Sequence, residues 1–259
     1  MSKEIDFYGG TNPILHFTVT TKQGKRLVLQ LEVQHLIHGG RSGKDPEEVA
    51  KHVIDLESYG VKHKYPPLGP VAFLLPTFNA TTSKRVEVYD NANNAEVEYV
   101  LLVDDRGKIY VTVGSDHTDR EMEGSAGPPK AKLLAPKVMS SEAWLYEELN
   151  DHWDELVLRL YGYPSGSKEL YMEGKAGTLR HPDDLMQDTH AQAGLKDLKN
   201  SVIFGGTLPS LTGGFMWGSA WDLELYDPVL TRTISHHYEV EVVWHRVPPY
   251  PTKERPPDM

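Results

Sequence analysis

The chain has 259 residues, no cysteine and a formal net charge of −10 at pH 7. The absence of cysteine excludes a disulfide framework, a cysteine nucleophile and thiolate metal sites. An acidic balance argues against nucleic acid and anionic membranes as partners, because both attract basic surfaces. No apolar run reaches the roughly 18 residues of a membrane helix, and the first residues lack the apolar region of a signal peptide, so we expect a cytoplasmic protein.

The N-terminal third predicts strands followed by a capped helix. Strands are predicted at residues 14–20 and 25–33, which flank a glycine-containing turn. A helix is predicted to begin after Asp45, a residue type that accepts backbone N–H groups at helix starts. His52 lies beside the buried stripe of this helix, and Asp55, one turn later, can meet it on one face.

The stretch at residues 95–120, AEVEYVLLVDDRGKIYVTVGSDHTDR, predicts a β-hairpin with acids at its open end. If its strands are residues 96–103 and 108–113 and Val103 pairs with Lys108, three carboxylates gather there: Glu96, Glu98 and Asp116. Acids beside a core repel one another and lose hydration unless protons or a cation offset their charge. Spacing alone leaves two interpretations open, a divalent-metal site with oxygen ligands or an exposed strand end with solvated acids.

The second half of the chain predicts more strands than helices. Helices are predicted at residues 141–154 and 182–189, and a flexible Gly/Pro loop at residues 124–132. Further strands are predicted at 85–89, 155–161, 168–173, 177–181, 201–204, 221–226 and 236–243. Because strands predominate and lie mostly in hairpin order, we predict an α+β fold with a dominant antiparallel or mixed sheet.

The hairpin and the residues after it resemble the fumarylacetoacetate hydrolase superfamily. Members carry Glu-x-Glu on a strand and, further on, a segment like Asn-Asp-x-(Ser/Thr)-x-Arg-Asp-x-Gln. Residues 96–98 match the first part, and residues 115–123 align with the second without a gap. Asp116 takes the place of the metal-binding Asp and Arg120 that of the Arg, whereas Glu123 replaces the Gln.

Three weaker matches extend the resemblance along the chain. His52 and Asp55 fit the His-x-x-Glu dyad that activates water in the family, with a shorter carboxylate. A lysine follows the metal-binding Asp in the family, and we assign it to Lys132, with Lys130 as the alternative. The Gly-Thr-x-Pro segment of the family matches GTLP, in which Thr207 is expected to face substrate.

The resemblance implies a mixed, mostly β sandwich roll with a few peripheral helices, and usually a homodimer. Its regions would be N-terminal strands, capped helix and possible lid (1–80), a metal-binding β-roll (81–247) and a flexible tail (248–259), all in one structural unit. The implied cofactor is Mg²⁺, Mn²⁺ or Ca²⁺, which orients an oxo-acid and polarises its carbonyl. The resemblance assigns these residues: metal ligands Glu96, Glu98 and Asp116; substrate-binding Arg120, Glu123 and Thr207; catalytic His52, Asp55 and Lys132.

A closer resemblance, to a bacterial branch of the superfamily known only as a domain of unknown function, covers nearly the whole chain. The matching segments are GSDHTDRE, APK, DHWDELVLR and YDPVLTRTISHHYEV. The expected function is hydrolysis of a C–C bond in an acylpyruvate-like or ring-cleavage oxo-acid during catabolism. Two alternatives stay open: a lyase on the same metal site, such as an oxaloacetate decarboxylase or a sugar-acid dehydratase, and a non-catalytic metal- or ligand-binding protein. His117 is expected to point to the opposite strand face from Asp116 and has no assigned role.

Overall fold

The structure is a computed structural model that describes residues 12–45, 47, 49, 54 and 71–243. Within these residues the fold is α+β, as predicted, with strands predominating over short helices. The strands are β1 (Ile14–Thr20), β2 (Arg26–Glu32), β3 (His35–Gly40), β4 (Val71–Leu75), β5 (Ala80–Thr81), β6 (Arg85–Val88), β7 (Asn93–Asn94), β8 (Val97–Val103), β9 (Ile109–Asp116), β10 (Thr118–Asp119), β11 (Lys137–Met139), β12 (Glu142–Leu145), β13 (Val157–Gly162), β14 (Glu169–Lys175), β15 (Ser201–Thr207), β16 (Ala220–Asp227) and β17 (Arg232–Val242). The α-helices with defined bounds are α1 (Arg120–Ala126), α2 (Pro128–Leu133) and α3 (Pro182–Ala193).

Two mixed sheets form the body of the described chain. In the larger sheet the strand order is β2-β1-β12-β9-β8-β15-β3-β4, and β11 pairs with β9 and β5. In the smaller sheet the order is β14-β13-β16-β17-β6. Strand β15 pairs with β8 antiparallel and with β3 parallel, so β3 from the N-terminal third lies near the hairpin of β8 and β9.

The side chains of β8 divide between two hydrophobic clusters, because successive residues of a strand point to opposite faces. Tyr99 and Leu101 pack into a cluster that includes residues of β13 and β16 from the smaller sheet. Val100 and Leu102 pack into a second cluster with residues of β1 and β2. Every residue of β8 is buried. A polar side chain on this strand is therefore removed from water.

The hairpin of β8 and β9 forms as predicted, but the predicted register is wrong. Val103 pairs with Ile109 and not with Lys108. The connection is one residue longer than expected, because five residues separate Val103 from Ile109 instead of the four between Val103 and Lys108. The Asp104 N–H donates to the Lys108 carbonyl oxygen (3.0 Å), and Gly107 closes the loop with φ of 83°. The shift changes which residues lie opposite the acids.

The predicted helix at residues 141–154 is also wrong. These residues form β12 and two 3₁₀ helices, Tyr146–Glu148 and Asn150–Glu155. Strand β12 pairs with β1 on one side and β9 on the other. These backbone hydrogen bonds to distant segments outweigh a local helical pattern, which is a weak determinant by itself.

Two further local predictions differ from the structure. The strand predicted at residues 177–181 is a 3₁₀ helix, Ala176–Thr178, followed by irregular backbone, and β14 pairs with the preceding β13 instead. The predicted loop at residues 124–132 contains the end of α1 and most of α2. Gly127, with φ of 90°, separates these two helices and lets the chain turn sharply.

The predicted helix after Asp45 lies mostly outside the described residues, and so do His52 and Asp55. Glu47, Val49 and Ile54 are helical. The Asp45 carboxylate accepts the N–H of Glu47 at 2.8 Å, as expected for a helix start. None of the helices in the described ranges combines the length and hydropathy needed to cross a membrane.

Candidate metal centre

Three buried polar side chains converge at the end of the hairpin. They are Glu98 on β8, Asp116 at the end of β9 and His38 on β3, and their ligand atoms lie within 4.8 Å of one another. Glu98 is two residues from Val100, and His38 is two residues from Leu36. Since Val100 and Leu36 belong to the second hydrophobic cluster and residues two positions apart point to the same face of a strand, Glu98 and His38 share one face of the sheet. The pleat of the sheet, and not a loop, brings the three together.

The corrected register explains the position of Asp116. The Asp116 N–H donates to the Glu96 carbonyl oxygen (3.0 Å), so Asp116 lies opposite Glu96. Residues directly opposite in an antiparallel pair project to the same face. Under the predicted register Asp116 would lie opposite residue 95 and project to the other face. The observed register is therefore the one that places Asp116 with both glutamates.

Glycines make room for this group. Glu98 lies opposite Gly114, where a Cβ atom would come within 2.8 Å of the Val138 carbonyl oxygen. Strand β15, which runs between β8 and β3, has an irregularity between Phe204 and Thr207. Gly206 in this bulge has φ of 94°, and its N–H donates to Glu98 Oε2 at 2.7 Å. The bulge thus presents a backbone donor to the Glu98 carboxylate.

Glu98 is the buried acid of this group that has no ion pair within the described residues. Its Oε1 is buried and has no hydrogen-bond partner among those residues. Burial raises the pKa of Glu98 well above its ordinary value, and the Asp116 and Glu96 carboxylates raise it further. An ionised carboxylate in this position needs a cation to offset its charge.

Asp116 lies among three nitrogen atoms. Its Oδ2 is 2.7 Å from His38 Nδ1 and 2.8 Å from Lys132 Nζ, and its Oδ1 is 3.0 Å from Lys137 Nζ. The distances are those of ion pairs, although the angles fall outside regular hydrogen-bond geometry. Burial raises the pKa of Asp116, but the two lysines and His38 outweigh burial and hold this pKa well below its ordinary value.

Glu96 is held by two cations. Its Oε1 accepts from Arg120 Nη2 at 2.6 Å, and its Oε2 accepts from Lys132 Nζ at 2.5 Å. Burial raises the pKa of Glu96, but Lys132 and Arg120 together lower it to about 2. Both oxygens are engaged by cations, and Glu96 is not in the set of ligand atoms that lie within 4.8 Å of one another. Its assignment as a metal ligand stays a prediction.

Comparison with known proteins identifies the family. A family model described as "Protein of unknown function (DUF2848)" matches residues 39–238. The chain belongs to this family. The comparison of the DUF2848 chain with curated proteins finds no match.

Solved structures show the same fold at low sequence identity. The crystal structure of Cg1458 with inhibitor is 14% identical, with 88% of each chain covered and a TM-score of 0.57. The structure of 2-keto-3-deoxy-D-arabinonate dehydratase complexed with magnesium and 2,5-dioxopentanoate is 14% identical, with 85% of this chain and 84% of that chain covered and a TM-score of 0.53.

At the level of the fold these structures agree with the resemblance seen in the sequence: the DUF2848 chain shares the fold of Cg1458 and of 2-keto-3-deoxy-D-arabinonate dehydratase. The β-rich α+β architecture predicted from that resemblance is confirmed with it. The residues at the centre also fit a divalent ion. Glu98, Asp116 and His38 are buried, their ligand atoms are close together, and Glu98 Oε1 lacks a protein partner among the described residues.

Arg120, a predicted substrate-binding residue, is engaged on several sides in the DUF2848 chain. Its Nε donates to Asn94 Oδ1 at 2.6 Å and its Nη1 to Glu123 Oε2 at 2.7 Å. The Phe215 ring covers the guanidinium, with 4.5 Å between the Arg120 Cζ and the ring centroid. Arg120 and Glu123 therefore bind each other here, and their roles towards substrate stay predictions.

Lys132 lies at the centre, whereas the alternative Lys130 is exposed. Besides its contacts with Glu96 and Asp116, Lys132 Nζ donates to Thr118 Oγ1 at 2.7 Å. Burial lowers the pKa of Lys132, but Asp116 and Glu96 outweigh burial and raise it, so this ammonium stays charged. Its catalytic assignment stays a prediction.

Thr207 and His117 make protein contacts around the centre. The Thr207 hydroxyl donates to the Val97 carbonyl oxygen at 3.0 Å, so its assignment to substrate stays a prediction. The His117 ring lies 2.9 Å from the Tyr238 hydroxyl and 2.6 Å from Asn93 Oδ1. Burial, reinforced by Lys137, lowers the pKa of His117 to about 3, so the ring is neutral. Because Tyr238 belongs to the first hydrophobic cluster, His117 points away from the face of Asp116, as expected.

Sequence reasoning missed His38 and Lys137. Lys137 Nζ is fully buried, and it donates to the carbonyl oxygens of His117 (2.7 Å) and Ala135 (2.9 Å) besides its contact with Asp116. No local sequence pattern identifies either residue as part of the site. His38 reaches the centre because β3 pairs with β15, and Lys137 reaches it because β11 pairs with β9. Lys137, Lys132 and Arg120 are paired with the other buried acids, so Glu98 is the acid of the centre that has no cationic partner among the described residues.

Proposed function

We propose that the DUF2848 chain is a divalent-metal-dependent enzyme that acts on a small 2-oxo acid. The observation that carries the proposal is Glu98, a fully buried acid with one oxygen unsatisfied within the described residues, next to Asp116 and His38. A divalent ion at this point would offset the remaining negative charge. The similar dehydratase structure contains magnesium and 2,5-dioxopentanoate, a 2-oxo acid, which supports the proposed class of substrate.

The surrounding residues suit enolate chemistry. A divalent ion held at Glu98 and Asp116 would supply Lewis acidity to a substrate carbonyl. Lys132 provides a positive charge next to Glu96 and Asp116, and this charge would stabilise negative charge that develops on substrate oxygens. Arg120 holds Glu96 in place and adds a second positive charge. Burial strengthens each of these interactions, because little water is present to screen them.

Hydrolytic C–C cleavage of an acylpyruvate-like substrate or a ring-cleavage oxo-acid is the favoured reaction. It is supported by the sequence resemblance, in which His52, oriented by Asp55, takes a proton from water for attack on the carbonyl. Dehydration of a sugar acid is the second candidate, because two structures of 2-keto-3-deoxyarabinonate dehydratase share the fold with TM-scores of 0.54 and 0.53. Dehydration uses the same enolate but needs no attacking water.

Metal dependence is tested first, by thermal unfolding of the EDTA-treated protein with added Mg²⁺, Mn²⁺ or Ca²⁺. An ion at about 100 times its Kd adds about 2.7 kcal/mol to the unfolding free energy, which raises Tm by roughly 5–10 °C. We expect Asp116→Asn to abolish this shift. The matched control is Asp105→Asn, an exposed residue in the turn of the same hairpin, which should keep the full shift. If none of the three ions changes the Tm of the wild type, the proposed metal centre is refuted.

The reaction is tested with the metal-loaded full chain. Pyruvate release from acetylpyruvate or fumarylpyruvate supports hydrolysis, and loss of water from a 2-keto-3-deoxy sugar acid supports dehydration. Decarboxylation of oxaloacetate alone supports the lyase alternative. Metal binding without turnover of any of these oxo-acids contradicts the proposed enzyme and favours a binding protein.

A further inference from the structure

His38 is a member of the cluster to which the sequence resemblance gives no role. It is 6% exposed, and its Nδ1 lies 2.7 Å from Asp116 Oδ2 without hydrogen-bond alignment to any described residue. Phe73 packs against the imidazole, with ring centroids 4.6 Å apart. At Gly40 a Cβ atom would come within 3.1 Å of His38 Nε2, so the glycine leaves space for the ring. The imidazole is thus confined, with one nitrogen directed at the acids.

His38 is better placed than Glu96 to complete a set of metal ligands. Each oxygen of Glu96 already accepts a short charge-assisted hydrogen bond, from Arg120 at 2.6 Å or from Lys132 at 2.5 Å. Moving Glu96 onto an ion would break at least one of these bonds. His38 Nδ1 loses no aligned hydrogen bond when it turns its lone pair to an ion between Glu98 and Asp116.

We propose that His38 is the third protein ligand of the metal centre, together with Glu98 and Asp116, and that the site selects a transition-metal ion such as Mn²⁺ over Mg²⁺. The inference rests on the proposed function, since it presumes that an ion binds here. Imidazole nitrogen is a ligand for first-row transition metals, whereas sites for Mg²⁺ and Ca²⁺ are built from oxygen. Glu96 then serves as the anchor of Lys132 and Arg120.

Pulsed EPR of the Mn²⁺-loaded full chain tests this directly, because a coordinated imidazole nitrogen adds a ¹⁴N coupling to the manganese signal. We expect this coupling in the wild type and its loss in His38→Gln, which offers an oxygen in place of the nitrogen. The matched control is His236→Gln, since His236 is also 6% exposed but contacts the Ser83 carbonyl oxygen. That variant should keep the coupling.

Metal selectivity gives a second readout. We expect His38→Gln to reduce the preference for Mn²⁺ over Mg²⁺, measured by competition binding, by roughly tenfold or more. Should His38→Gln fail to fold, the wild type grown with ¹⁵N-histidine keeps the proposal testable, because a coordinated histidine must then show ¹⁵N coupling in place of ¹⁴N.

The outcomes separate the two proposals. Mn²⁺ that binds in an Asp116-dependent manner without histidine coupling, or with coupling that survives in a folded His38→Gln, overturns the role of His38 and leaves the proposed function standing. A protein that binds none of the ions overturns both.

Discussion

At the scale of single residues, Asp227 shows how the fold retains a buried charge outside the metal centre. Its Oδ1 lies 3.0 Å from His152 Nε2 and accepts the Leu230 N–H at 3.0 Å, and its Oδ2 accepts from Arg232 Nε at 3.1 Å. Burial raises the pKa of Asp227, but the Leu230 N–H, His152 and Arg232 outweigh burial and hold the pKa below its ordinary value. The carboxylate therefore stabilises the fold while it is ionised.

We predict that Asp227→Asn lowers the unfolding free energy by about 1–3 kcal/mol at pH 7. The folded-state pKa lies below the unfolded value of about 3.9, so the stabilisation is present above that pH and is lost as the pH falls through the folded-state pKa. The difference between wild type and variant should shrink towards pH 3. Urea unfolding between pH 7 and pH 3 measures it, and a difference that grows on acidification would contradict this account.

Glu98 and Asp116 could be expected together from the sequence, because both belong to one hairpin and strand alternation is a local rule. The pattern did not give the register, which depends on the length of the turn. His38 could not be found in this way, since β3 reaches the site through pairing with β15, far along the chain. Nor does spacing reveal that Lys132 and Lys137 offset most of the negative charge, because burial of a lysine is a property of the packed molecule.

At the scale of elements, the turn between β8 and β9 sets the register of the metal-centre hairpin. The Asp104 Oδ1 accepts the N–H groups of Arg106 at 2.9 Å and Lys108 at 2.8 Å. Its Oδ2 accepts from the Tyr110 hydroxyl at 3.2 Å. The neighbouring Asp105 is exposed. A single side chain thus orders the backbone of the turn.

We predict that Asp104→Ala lowers the unfolding free energy by about 1–2 kcal/mol, because two backbone N–H groups lose their acceptor. Asp105→Ala is the matched control and should stay within about 0.5 kcal/mol of the wild type. Urea unfolding measures both. Equal losses in the two variants would mean that the order of the turn does not depend on Asp104.

The region at residues 141–154 shows the limit of local patterns. Its inward-facing tryptophans, Trp144 and Trp153, are buried as expected, yet the backbone is a strand followed by 3₁₀ helices. An apolar spacing that fits a helix is also compatible with a short strand and irregular turns if distant strands supply hydrogen-bond partners. Here β1 and β9 supply them.

At the scale of the whole molecule, the fold class was predictable and the topology was not. Hairpin neighbours such as β1–β2, β8–β9 and β16–β17 follow from alternation and turn residues. The parallel pairs β1–β12, β3–β15 and β6–β17 join segments far apart in sequence. No local signal specifies such pairs, although they join distant segments within both sheets and bring His38 to the hairpin.

Trp153 lies in the hydrophobic core to which both sheets contribute residues. Trp153 is 1% exposed within it, and its ring meets Tyr99 edge-on with centroids 5.0 Å apart and Tyr146 with centroids 5.9 Å apart. Its Nε1 is buried without a hydrogen-bond partner among the described residues. Trp153 therefore stabilises the core through the packing of its ring, whereas its buried N–H without a hydrogen-bond partner among the described residues lowers the stability of the fold.

We predict that Trp153→Ala lowers the unfolding free energy by about 3–5 kcal/mol, because it leaves a large cavity next to Tyr99. Trp153→Phe should cost less than half as much, because a ring still meets Tyr99 and the unsatisfied N–H is gone. Urea unfolding of the two variants gives the comparison. If Phe proved as damaging as Ala, an unseen partner of the indole nitrogen, and not aromatic packing, would be the reason why tryptophan stabilises this position.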